Sequence, residues 1–134
     1  MKRPEQAALL TAARTAHALA TGQDVPRAEL AAAVRTTLAQ VAFLYPGKLV
    51  EVRVPPFAAV QVGVPGQSGA HTRGTPPNVV ETDAPTWLAL TTGRLSWAEA
   101  MTQRRVAASG THADLSAHLA VLVQELQNLL TTHD

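Results

Sequence analysis

Residues 78–110 read NVVETDAPTWLALTTGRLSWAEAMTQRRVAASG. The signals along this stretch predict strand, helix, turn, helix, strand. Val79 and Val80 follow Pro76 and Pro77, so a short strand, Asn78 to Glu81, begins where the prolines end. Asp83 is a good N-cap, because its carboxylate can accept from a free backbone N–H in the first helical turn. Pro85 falls inside that turn, where its missing N–H costs little. Trp87, Leu88 and Leu90 make a short apolar helix, and Gly93 fits the left-handed position just past its end. Ser96 and Glu99 have the spacing of a capping box, which opens a second short helix carrying Trp97, Ala98, Ala100 and Met101. Arg104 to Ala108 reads as a strand, and Ser109-Gly110 stops it. Local signals that agree with one another mark a specified fold.

Upstream, Pro4 to Thr21 reads as a helix with Ala7, Leu10, Ala13 or Arg14, His17 and Ala20 or Thr21 on one side, widened by Leu9, Ala16 and Leu19. Gly22 ends it. Asp24 is a candidate cap for a second helix that runs to about Tyr45, with Leu30, Val34, Leu38, Val41 and Leu44 or Tyr45 as its buried stripe. Leu49 to Val54 alternates, placing Val50, Val52 and Val54 on one face. Pro55-Pro56 breaks that strand. Phe57 to Val62 forms the next, antiparallel to the first because the connection is so short. Gly63 to Pro77 is a loop, with a strand fragment near His71 to Arg73. Downstream, Thr111 is a candidate cap for a last helix to about Leu130, striped by Leu115, Leu119, Leu122 or Val123, Leu126, Leu129 and Leu130. Strands with helices around them predict an α+β fold, a small mixed and mostly antiparallel sheet covered by helices.

At 134 residues the chain suits one domain with a real core. A net charge of +1 supplies no field to draw in nucleic acid or an acidic membrane. There is no cysteine, which removes disulfide and thiolate chemistry. No apolar run reaches the roughly 20 residues that span a bilayer, so stable membrane insertion is not expected. The first helix is interrupted by Glu5, Gln6, Arg14 and His17, unlike the core of a signal peptide, and a cytoplasmic location is the default expectation.

Thr82, Asp83, Thr86, Trp87, Leu88, Leu90, Gly93, Arg94, Leu95, Ser96, Trp97 and Ala100, followed by Ser109 and Gly110, stand in a familiar order. With the flanking elements they resemble the sterol-carrier-protein family, in its bacterial single-domain branch. The resemblance covers about Val34 to Leu130 and leaves residues 1–22 as an added helix. It implies a small mixed sheet with helices on one face. It also implies non-catalytic binding of a fatty acyl chain, a sterol-like molecule or another lipid between sheet and helices. The other role found among relatives is an auxiliary domain that assists a partner protein or enzyme without a ligand. A homodimer is a further possibility.

Trp87, Leu90, Trp97, Leu119, Leu122, Val123 and Leu126 are the candidate lining of such a cavity. The alternative is that they pack on one another as solid core. Arg73, flanked by hydroxyls, is a candidate for holding an anionic head group; its alternative is an ion pair with Glu81 or Asp83. No catalytic residue is expected. Ser109 lacks the G-x-S-x-G context, and Asp83 and Glu99 are accounted for as caps. No metal or other cofactor is expected either, since His112 and His118, read on one helix, point apart and His17 lies on another. A helix-turn-helix reading of the first two helices leaves only Arg27 and Arg35 basic on the second.

Overall fold

A computed structural model of the chain describes residues 2–66 and 76–133. In chain order the elements are α1 (Gln6–Ala20), α2 (Arg27–Leu44), β1 (Val50–Val54), β2 (Ala58–Val62), β3 (Asn78–Thr82), α3 (Ala84–Thr91), α4 (Trp97–Thr102), β4 (Val106–Ser109) and α5 (Ser116–Thr132). The strands form one mixed sheet in the order β2-β1-β3-β4. β1 pairs antiparallel with β2, parallel with β3, and β3 pairs antiparallel with β4. This is the α+β architecture expected from the sequence.

Register explains why one face is dry. Val52 lies opposite Val60 on one side and Val80 on the other, and Val80 lies opposite Ala108. Because side chains alternate along a strand, this row shares a face. Val50, Val52, Val54, Val62, Val80 and Val106 are buried there. The other face carries Glu51, Arg53, Gln61 and Glu81, which are half-buried or exposed. The valine face joins Val34, Leu38, Val41, Trp87, Leu88, Leu122 and Leu126 of the helices in one core cluster.

Asn78 ties three parts of the chain together. Its Nδ2 donates to the Leu49 carbonyl at 2.9 Å, and its Oδ1 accepts from the His112 backbone N–H at 2.9 Å. Gly110, at φ 105°, passes so close that an added Cβ would meet Asn78.

Three sequence expectations need correction. α5 begins at Ser116 and not after Thr111. Asn78 holds residue 112 in a turn, the N-cap position falls to Leu115 with no side-chain cap bond, and Asp114 Oδ1 accepts from Ser116 N–H at 2.8 Å. His112 therefore lies outside the helix that carries His118. At the start of α2 the N-cap is Pro26, with no side-chain cap, and not Asp24. In α1 the buried residues are Leu9, Ala12, Ala13, Thr15 and Ala16, while Ala7 and His17 are exposed. Alanines all around α1 leave its hydrophobic period ambiguous, and contact with α2 and α5 selects the face.

Candidate functional site

Two caps build the corner that defines the site. Asp83 Oδ1 accepts from Thr86 N–H at 2.8 Å and starts α3. Ser96 Oγ accepts from Glu99 N–H at 3.0 Å, while Glu99 Oε1 accepts from Ser96 N–H at 2.9 Å and starts α4. The bond from the Ser96 backbone N–H, with the Ser96 hydroxyl second, holds the Glu99 carboxyl below its ordinary pKa. Between the helices Gly93 takes φ 77° and approaches α5, where a Cβ would sit 3.1 Å from Val123 Cγ1 and 3.3 Å from Gln127 Nε2.

The α3–α4 corner and α5 leave an open groove of about 300 Å³ between them. Leu90, Leu95, Trp97, Leu119, Ala120 and Val123 give it apolar walls, and the Ser96 and Ser116 residues place hydroxyl-bearing side chains on its lining. Its size is at the small end of ligand sites, and its chemistry suits apolar contact with few polar anchors.

Of the residues singled out from sequence, Leu90, Trp97, Leu119 and Val123 line this groove. Trp97 and Val123 are half-buried, which leaves them partly reachable. Trp87, Leu122 and Leu126 are in the core cluster. Trp87 is only 1% exposed, and its indole N–H donates to Thr37 Oγ1 at 2.8 Å. Arg73 lies outside the described residues.

Sequence reading missed two polar contacts on α5, one buried and one partly buried. His118 Nε2 lies 2.8 Å from the Gly63 carbonyl, with the ring tilted against Tyr45 at 4.6 Å between centroids. A carbonyl only accepts, so Nε2 carries the proton, and Nδ1 is buried with no partner among the described residues. Burial pushes the imidazole pKa down, opposed by the Gly63 bond and by Asp114. The signal was present, since His118, Leu122 and Leu126 repeat every four residues on one helix. The second contact joins Gln40 Nε2 to Glu125 Oε2 at 2.9 Å across α2 and α5. Nothing in either local sequence announces that pairing.

Among the described residues, no group of three or more His, Cys, Asp or Glu side chains is placed to hold a metal ion. No helix among them is long and apolar enough to cross a membrane. The family model described as "Bacterial SCP ortholog" matches residues 26–121. No curated protein matches the chain.

Proposed function

The chain belongs to the bacterial SCP ortholog family, and from that premise we propose that it binds a small apolar ligand, such as a fatty acyl chain, without catalysing its conversion. The observation that supports this most directly is the groove between the α3–α4 corner and α5, whose walls include Leu90, Trp97, Leu119 and Val123. Binding there is driven by hiding apolar surface, at about 25 cal/mol per Å². Ser96 and Ser116 on the lining suit one polar atom of the ligand.

Trp97 reports on occupancy, because it lines the groove while Trp87 is sealed in the core. A brominated fatty acid bound in the groove is expected to quench Trp97 emission. Trp97→Phe removes the quenched component, and Ala120→Phe, which fills the groove, abolishes the effect. Absence of quenching up to the solubility limit, or quenching that survives Ala120→Phe, overturns the reading.

A further inference from the structure

A second groove lies between another pair of helices. α1 and α2 run antiparallel, and their facing sides enclose about 420 Å³ of open space lined by Ala12, Thr15, Ala28, Glu29, Ala32 and Thr36, among others. It shares no lining residue with the groove beside Trp97. At Ala8 and Thr36 it runs into a mouth of about 350 Å³ that contains Lys2, Arg3 and Arg35. Glu5 is the one carboxylate at that mouth among the described residues. The Arg3 guanidinium lies 5.5 Å from the centre of the Phe43 ring, a residue outside the lining of the mouth. Lys2 and Arg35 form no ion pair among the described residues.

The other end is polar in the opposite sense. Glu29 and Thr15 both line the groove, and Thr15 is 8% exposed. The Thr15 hydroxyl has no hydrogen-bond partner among the described residues, whereas Thr11, one turn earlier, bonds back to the Ala7 carbonyl. An apolar slot therefore joins a cationic mouth to an unpaired hydroxyl and a carboxylate.

We propose that this groove binds an elongated apolar molecule carrying a carboxylate at one end and a hydroxyl at the other. The carboxylate sits among Lys2, Arg3 and Arg35, because Glu29 repels it from the far end. The alanine methyl groups take the apolar body. The hydroxyl reaches Thr15 and Glu29, since covering the Thr15 oxygen with hydrocarbon alone would leave it unsatisfied. From Ala28 to Thr36 the helix rises about 12 Å, which sets the length of the body. α1 precedes the family match, so this groove combines a family helix with one outside the matched region.

Calorimetric titration of the full chain with ω-hydroxydodecanoate, dodecanoate and dodecanediol tests this, with alanine-methyl NMR to locate the site. The hydroxy acid is expected to bind tightest and to shift the Ala12, Ala28 and Ala32 methyl signals. Dodecanoate is expected to bind about fivefold more weakly and the diol about tenfold more weakly. Thr15→Val should erase the preference for the hydroxyl, and Arg35→Glu the preference for the anion. Ala32→Phe, at an exposed position, should block the groove while leaving the thermal melt unchanged. Equal binding of the hydroxy acid and the diol, a hydroxyl preference that survives Thr15→Val, methyl shifts confined elsewhere, or binding only in the presence of anionic vesicles overturns the proposal. Quenching of Trp97 by a brominated chain is read separately, so loss of one site is distinguishable from loss of the other.

Discussion

The Trp87 indole N–H donates to Thr37 Oγ1 at 2.8 Å, and both residues are shut off from water. Thr37 Oγ1 lies in turn 2.8 Å from the Ala33 carbonyl and 3.1 Å from that of Val34, within reach of its own donated bond. The short helix α3 is thereby hydrogen-bonded to the middle of α2. Thr37→Val keeps the volume but leaves the indole N–H without an acceptor. It should cost about 1–3 kcal/mol, measured by urea denaturation. Trp87→Ala should cost about 3–5 kcal/mol. A Thr37→Val chain as stable as the parent would show that the bond contributes nothing net.

His118 makes stability depend on pH. In the unfolded chain an imidazole takes up its proton near pH 6.5, roughly. In the folded chain burial lowers that value, so below this pH the unfolded state binds more protons and stability falls. The contribution is complete above about pH 6.5 and is lost progressively as pH drops toward the lower folded value. His118→Gln can still donate to Gly63 but does not titrate. Melts between pH 8 and 5 should show a flatter dependence for this variant, a range bracketing the ordinary histidine value of about 6.5. Parallel curves for the two proteins would rule out His118 as the source.

Ser96→Ala removes one half of the capping box that starts α4. The expected loss is about 1 kcal/mol. Because α4 carries Trp97, hydrogen exchange in residues 97–102 should quicken before the rest of the chain responds. Uniform exchange across all helices would contradict a local role for the cap.

Gly110→Ala meets two obstacles at once. Its φ of 105° disfavours any side chain, and the new methyl would press on Asn78. A loss of about 3 kcal/mol or more is expected. Since Asn78 joins residue 49 to residue 112, chemical shifts in the β1 start and the turn before α5 should move together. Small, confined shifts would mean that Asn78 absorbs the methyl without strain.

Much of the fold was legible because its signals are local. Asp83, Gly93, Ser96 and Glu99 act within one helical turn of where they stand, and each does in the structure what its spacing announced. The Val50, Val52, Val54 alternation likewise reports a face that the sheet then buries. The misread starts of α2 and α5 have different causes. Asp24 and Thr111 are sound cap residues by type, but the neighbouring Pro26 takes the cap position of α2, and the Asn78–His112 bond holds the turn before α5. Only at α5 did a distant partner outweigh a local preference.

The candidate site divides along the same line. Helical spacing placed Trp97, Leu119 and Val123 near an apolar surface, but it could not say which of seven similar side chains face a groove and which face one another. Trp87, Leu122 and Leu126 have the same chemistry and lie in the core. The sequence by itself determined the element order, the caps and the greasy side of each strand, because those depend on neighbours within a few residues. Only the tertiary structure decided where α5 settles against the α3–α4 corner, which bond Trp87 makes, and that His118 and Gln40 are buried. Those outcomes depend on packing between residues far apart in the chain, where distance along the sequence carries no information about distance in space.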